Sequence, residues 1–336
     1  MIYKYAIMGL GASGLFTLAH LPKDQLAQTL VISPDIGGDL LHLYGEVIAN
    51  LTKSQLITAM RKIPDWSSYT FEILSKYSDD QCPKLSDLAL QIVVYTKSLL
   101  KLVGEYVPAK LDSLEKTSDG YTLQSTFGTY KAHKVILCNG ANNKALDLPI
   151  PSIPLQSALN PFILQSIVRP SDKIAVFGTS HSGTLILKNL KNLNIPNVKA
   201  FYNTDKPFYL HKDGFSEGLK QESSLIAEEI VGNKWGDLFT PELIHTSNSV
   251  RFFKELSKVD YVIYAIGFES RKNFKTNFEL VFDHDSLTFK DNRNLFGFGI
   301  GFPAFYAGNE GKKFFDVGYI GFIDAIQRRL HDLLHS

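Results

Sequence analysis

The sequence predicts an α/β protein built from two Rossmann-like three-layer domains, the second inserted in the first. Two observations carry this. Gly9-Leu-Gly11-Ala-Ser-Gly14 and Gly178-Thr-Ser180-His-Ser-Gly183 each follow a short apolar strand and open an apolar helix. An amphipathic stretch from Val317 to Leu334 then comes after the second unit has closed, so the chain is expected to return and complete the first. The expected domains are 1–155 joined with 285–336, and 156–284 between them.

In the first unit Tyr5-Ala-Ile-Met8 runs into Gly9, and Leu15, Phe16, Leu18, Ala19 and Leu21 carry a helix as far as Pro22. Glycine permits the tight turn and the close approach of backbone to a pyrophosphate, whose charge sits at the helix N-terminus. Gly9, Gly11, Ala12, Ser13 and Gly14 would form that contact. Thr29-Leu-Val-Ile-Ser33 reads as the second parallel strand of a βαβ unit. The acid that holds ribose hydroxyls, expected about 20 positions beyond the glycines, is not at the strand's end. Ser33 stands there, with Asp35 two residues on, and either side chain or the backbone could make the contact.

Gly37-Gly38-Asp39 lies in the next loop, before a polar helix-like stretch with Ser54, Gln55, Leu56, Ile57, Ala59 and Met60. Leu85 to Val103 predicts a long helix, opened by Ser86 as N-cap with Asp87 in the first turn. Lys110 to Leu114 and Tyr121 to Ser125 flank Asp119-Gly120 as a hairpin. Beyond Gly128, Lys134-Val-Ile-Leu-Cys138-Asn139-Gly140 is a strand that ends in glycine, as one closing on a cofactor would.

Pro149, Pro151, Pro154 and Pro161 mark an extended connection and a domain boundary. Ile174-Ala-Val-Phe177 then feeds Gly178, and Thr184 to Leu193 continue as a helix. Ser180 replaces the central glycine of this turn, which narrows backbone access. The next strand, Val198 to Tyr202, ends at Asn203 and Thr204 with Lys206 nearby. The lack of an acid and the presence of Lys favour a 2′-phosphate, hence NADP, with NAD possible. Residues 207–247 show no simple alternation and are expected to form an insertion or lid. Asp260 to Phe268 repeats the pattern of an apolar strand ending in small residues, here at Gly267.

Composition narrows the partners. With 336 residues, 35 Lys and Arg against 34 Asp and Glu give a net charge of +1, too weak a field to steer nucleic acid or anionic lipid. The two cysteines, Cys82 and Cys138, make no Cys-x-x-Cys and no zinc spacing, which excludes a dithiol relay. Apolar runs fall short of the ~18–20 residues that span a bilayer. A cytoplasmic protein acting on a small molecule is expected, with no nucleic acid and no membrane.

Together these residues resemble the two-dinucleotide flavoprotein superfamily, in which an FAD domain is interrupted by an NAD(P)H domain. The Gly-x-Ser-x-Ser-Gly form at Gly178 to Gly183, the Gly37-Gly38 pair, and Asn50 with Lys53 in Ile48-Ala-Asn50-Leu-Thr-Lys53 are similar to the flavin-containing and N-hydroxylating monooxygenases. The resemblance implies FAD and NADP as cofactors, and Asn50 beside the flavin as the catalytic residue. The FAD site would take in Gly9 to Gly14, Ser33, Asp35, Gly38, Leu111, Cys138, Asn139, Gly140, Gly301 and Phe302. The nicotinamide site would use Gly178, Ser180, His181, Ser182, Gly183, Lys206 and Gly267. The chain departs from the family's pattern at Ser33, at Cys138-Asn139-Gly140, at Ala265-Ile266-Gly267, at Gly301-Phe302-Pro303 and in Pro154 to Asn160.

Purely structural roles are also open to some of these residues. His181 could be a capping or surface residue, Cys138 a small buried hydrophobe, and Asn50 a turn cap. Trp235 and Tyr209 are given no role. The activity implied is an FAD-dependent, NAD(P)H-using oxidoreductase, monooxygenase-like, acting on a small nucleophile. The alternatives are a flavin reductase without oxygen transfer and a catalytically inactive cofactor-binding sensor.

Overall fold

The computed structural model describes residues 1–210, 217–307 and 313–335. The chain divides into two compact units, one of Met1–Gly45, Lys53–Asn142 and Glu269–Ser336, the other of Glu46–Thr52 and Asn143–Phe268.

In the first unit β1 (Tyr3–Leu10) is apolar on both faces: Tyr5 and Ile7 point one way, Ala6 and Met8 the other, all nearly inaccessible. Such a strand needs cover on both sides. Helix α1 (Ala12–His20) supplies it on one side and stops before Pro22, which disfavours helical backbone in the residue preceding it. A single turn, α2 (Lys23–Leu26), leads to β2 (Thr29–Ile36), parallel to β1 from Tyr5↔Thr29 to Met8↔Ile32. Next come α3 (Gly38–His42), α4 (Lys53–Met60), a 3-10 turn at Glu72–Lys76 and α5 (Leu85–Leu100). Lys84, not Ser86, occupies the N-cap of α5, one residue before its first turn. The Ser86 hydroxyl is drawn instead to the carbonyl of Gly45.

The short β3 (Glu105–Val107) flanks β2, and β4 (Leu111–Thr117), β5 (Gly120–Ser125) and β6 (Gly128–Leu137) form a meander whose last strand lies parallel to β1. The strand β7 (Ala141–Asn143) follows.

The second unit contains α6 (Leu155–Leu159), α7 (Pro161–Ile167), β8 (Ile174–Phe177), α8 (His181–Asn192), β9 (Val198–Tyr202), α9 (Gly218–Val231), β10 (Glu242–His245), α10 (Ser249–Leu256) and β11 (Tyr261–Tyr264). Its sheet is parallel, in the order β10-β9-β8-β11. On one face Phe177 stacks on Phe201 at 4.9 Å, and Phe252 of α10 packs edge-on against both. Helices α8 and α9 pack on each other.

Within residues 207–247 the described part forms α9 and β10, and β10 joins the sheet as a parallel neighbour of β9. Their period is hard to see in sequence, since the buried face of α9 mixes Ser223 and Ser224 with Ile226, Ala227 and Ile230. Residues 211–216 of this stretch, His211 among them, lie outside the described residues. The proline-rich connection is likewise not a free linker. Ile153 N–H donates to the carbonyl of Val262, and Val262 N–H to that of Pro151, which lays this segment along β11.

On its return the chain forms β12 (Phe268–Ser270), which pairs with β7, then β13 (Lys275–Thr276) beside β4. The strands β14 (Phe282–Asp283) and β15 (Thr288–Phe289) lead to β16 (Asn292–Gly297), parallel to β6 with Leu295↔Val135. The antiparallel pair β17 (Ala304–Ala307) and β18 (Lys313–Asp316) precedes α11 (Tyr319–His335), which packs on α1. Lys134 of β6 donates from Nζ to the carbonyl of Leu333, satisfying the end of that helix. Ala6, Met8, Leu137 and Leu295 share one core cluster with Leu123 and Phe289. No helix among the described residues is long and apolar enough to cross a membrane.

Candidate functional site

The glycines of the first turn do different jobs. Gly9 has φ +93°, and a Cβ there would lie 2.6 Å from the carbonyl oxygen of Cys138. A Cβ on Gly14 would lie 1.9 Å from the carbonyl oxygen of Gly9, so α1 rests directly on the turn it leaves. Gly11 is the N-cap of α1, with no side chain satisfying the first N–H groups. From the next loop Gly38, at φ +63°, brings its missing side chain to 2.8 Å from Gly11 Cα. Backbone thus lines this place closely from two strand exits, leaving the uncapped helix start for an anion.

Around that turn the structure sorts the expected residues. Ala12 and Ser13 are buried in the first turn of α1. Ser33 is turned inward: its hydroxyl accepts from Leu10 N–H at 2.9 Å and donates to the carbonyl of Asp35 at 2.6 Å. The carboxylate of Asp35 is exposed at the same strand exit and accepts from Gly38 N–H. Cys138 is buried against Thr17, and burial pushes its thiol up to about 12, so it is inert. The Leu111 side chain is partly buried against the core cluster, and Phe302 is buried against Phe282 and Phe289. Gly301 is required for another reason, since a Cβ there would meet the carbonyl oxygen of Gly140 at 2.2 Å.

Three further residues adjoin this place. A Cβ on Gly299 (φ +91°) would fall 2.1 Å from Ser13 Oγ, so Gly299, not Gly301, faces the first turn. Arg271 and Asp39 are the others. Arg271 donates through Nη2 to Asp39 Oδ2 at 2.8 Å and through Nε to Asn142 Oδ1 at 2.9 Å. Asn139 donates from Nδ2 to the main-chain carbonyl of Arg271, while its Oδ1 is buried without a partner in the described structure. The run Gly297-x-Gly299-x-Gly301 was a visible signal; nothing local in the sequence marks Arg271.

The second turn repeats the first. A Cβ on Gly178 (φ +87°) would lie 2.3 Å from the carbonyl oxygen of Ala265, and one on Gly183 1.9 Å from that of Gly178. Ser180, the N-cap of α8, has φ −77° and ψ −164°, against −70° and −173° for Gly11. That conformation suits any residue, so serine leaves the turn unchanged. His181 Nδ1 is 2.8 Å from Ser223 Oγ, and its ring meets Tyr209 edge-on. Ser182 follows in the first turn of α8, while Lys206 is exposed beyond β9 beside the exposed Asp205. Gly267 (φ +93°) accepts from Lys144 N–H. Asn50 is exposed in the Glu46–Thr52 segment of this unit, where Leu219 N–H donates to the carbonyl of Ala49.

These features fit a dinucleotide: cradles that a single Cβ would fill, uncapped helix starts, and a buried acceptor in need of a donor. Among the described residues no group of His, Cys, Asp and Glu could hold a metal ion.

No protein-family model matches the chain. A curated relative, Monooxygenase AgnR1 of Paecilomyces divaricatus, is 24% identical over 244 residues, and the match spans 59% of this chain and 59% of the relative. Among solved structures, a flavin-containing monooxygenase from Stenotrophomonas maltophilia superposes with TM-score 0.64 at 12% identity, covering 99% of each chain. A bacillithiol disulfide reductase from Staphylococcus aureus gives 0.60 at 12% identity, covering 99% of each. The thioredoxin reductase of Lactococcus lactis gives 0.58 at 11%, covering 99% of this chain and all of its own (100%). The chain has the two-domain FAD/NAD(P)-binding oxidoreductase fold.

Proposed function

We propose that this protein is an FAD-dependent, NAD(P)H-using oxidoreductase, monooxygenase-like, that transfers oxygen to a small nucleophilic substrate such as an amine or a sulfur compound. The observation that carries the proposal is the duplicated turn, Gly14 on Gly9 and Gly183 on Gly178. In this reading the first unit holds FAD through Gly9, Gly11, Ala12, Ser13, Gly14, Asp35, Gly38, Asn139 and Gly140. The second holds the nicotinamide nucleotide through Gly178, Ser180, His181, Ser182, Gly183 and Gly267, with Lys206 toward a 2′-phosphate. Bound FAD would supply the redox chemistry, hydride acceptance and electron transfer to oxygen. The chain's part is to bind, orient and shelter; no side chain is required as general acid or base. Asn50 would donate a hydrogen bond at the flavin's reacting edge.

A second reading is an NAD(P)H:acceptor reductase. It draws on the disulfide reductases among the structural neighbours. A thiol relay does not suit this chain, since one of its two cysteines is buried and inert, so the acceptor would be a quinone, another small molecule or a partner protein. A cytoplasmic setting belongs to the same proposal.

The test is a sequence of three measurements on the purified protein. FAD uptake in the visible spectrum comes first, and a protein that takes up none overturns every flavoenzyme reading. Anaerobic bleaching by NADPH, compared with NADH, comes second; no bleaching by either points to a sensor. Oxygen is then admitted in a stopped-flow instrument. A long-lived absorbance distinct from oxidised flavin supports oxygen transfer, and direct return to the oxidised spectrum supports the reductase.

A further inference from the structure

The two amide atoms of Asn139 are in unlike situations. Nδ2 donates to the main-chain carbonyl of Arg271, whereas Oδ1 is buried with no hydrogen-bond partner in the described structure. A carbonyl oxygen can only accept, so turning the amide over would set two acceptors face to face. The Arg271 main chain is itself held, because its N–H donates to the carbonyl of Gly140 at 3.1 Å and its guanidinium grips Asn142, Ala141 and Asp39. Asn139 Oδ1 is therefore an acceptor of fixed direction, and burial leaves it destabilised until a donor reaches it.

Strand order says which donor. The strands β6, β1 and β2 are parallel neighbours, and their exits carry Asn139, the Gly9 turn and Asp35. A dinucleotide lies across the carboxyl ends of such strands, with its adenosine ribose at the acid after the second strand and its pyrophosphate on the glycine turn. The exit of β6, on the side away from β2, then meets what lies beyond the pyrophosphate. In FAD that is the ribityl chain, a polyol rich in hydroxyl donors. The space is kept by glycine: a Cβ on Gly9 would lie 3.0 Å from Asn139 Cα.

We infer that Asn139 Oδ1 accepts a hydrogen bond from a ribityl hydroxyl of bound FAD, with Arg271 as the positioning residue that fixes its direction. The inference rests on the flavin reading above and names the part of the cofactor that this departure from the family's strand ending recognises.

Flavin-free protein is titrated with FAD, and with FAD analogues that each lack one ribityl hydroxyl, by flavin fluorescence. The native protein is expected to lose about tenfold in affinity with one analogue, equivalent to about 1.4 kcal/mol. Asn139→Ala is expected to bind FAD about tenfold more weakly and to lose nothing further with that same analogue, while its flavin-free form melts close to the native temperature. If Asn139→Ala does not fold, Asn139→Leu, of similar size and without an acceptor, carries the same comparison. Undiminished FAD binding by the variant overturns the inference, as does an equal loss in native and variant with every analogue. A native protein that binds FAD but discriminates no analogue overturns this inference alone; one that takes up no FAD overturns the flavin reading with it.

Discussion

Arg271 Nη2 donates to Asp39 Oδ2 at 2.8 Å, tying the chain after β12 to α3. The two side chains keep 34% and 32% of their exposure, so solvent screens the pair, and its worth to stability is about 0.2–1 kcal/mol. Its larger effect is on position, because α3 begins at Gly38 and Gly38 lies against Gly11. Arg271→Met is expected to lower the melting temperature little while raising the FAD dissociation constant several-fold in a fluorescence titration. Asp39→Asn, which keeps an acceptor, should show a smaller rise. A large melting loss with unchanged FAD affinity would make the pair a staple with no part in binding.

The second turn can be separated from the first by a single methyl group. Gly183→Ala places that methyl 1.9 Å from the Gly178 carbonyl oxygen, which is backbone and cannot swing aside. The variant is expected to retain FAD, whose cradle lies in the other unit, and to lose bleaching by NADPH while photochemical reduction persists. Gly236→Ala serves as control. Nothing lies within 4 Å of its Cβ, so only the positive φ of 73° is penalised, by about 1 kcal/mol.

How far the sequence could be read follows from what each element relies on. The glycine turns were legible because part of their constraint is local: Gly14 must lack a Cβ for the nearby backbone of Gly9, although Gly9 itself lies against the distant Cys138. The second sheet's crossover was not, since α9 buries serines against α8 and so hides the helical period. Position along a strand does not say whether a hydroxyl is already engaged, as that of Ser33 is with Leu10 N–H. Arg271 was invisible for a related reason. Its partners Asp39 and Asn142 are 232 and 129 residues away, and only the fold brings them together.

Thiol chemistry gives a direct check on the strand end after β6. Cys138 is buried and its thiol is pushed up to about 12 by desolvation, with Thr17 Oγ1 3.8 Å from its sulfur. Cys82 is only half-buried. In native protein at pH 8 a disulfide reagent is therefore expected to label Cys82 and leave Cys138 unmodified, with both reacting in denaturant. Mass mapping of the labelled peptides decides. Rapid native labelling of Cys138 would show that the closing strand opens far more readily than its packing implies, and would reopen a redox role for it.

Acid should loosen the second unit through one network. Lys199 of β9 lies 2.6 Å from Glu255 Oε2 and also bonds Glu242, while Lys258 lies 2.7 Å from Glu255 Oε1. The hydrogen bonds from Lys199 and then Lys258 hold the Glu255 carboxyl down at about 2, below the 4.5 of an unperturbed glutamate. A depressed carboxylate binds fewer protons folded than unfolded. Its contribution is therefore fully present above about pH 4.5 and is lost as the pH falls toward 2. Glu255→Gln removes the charge at every pH, so the variant is expected to melt below the native protein at pH 7 and to converge on it in the acid range. Melting curves of both proteins across that range test this. A gap that stays undiminished near the acid end would assign the loss to packing of the largely buried side chain, and not to its charge.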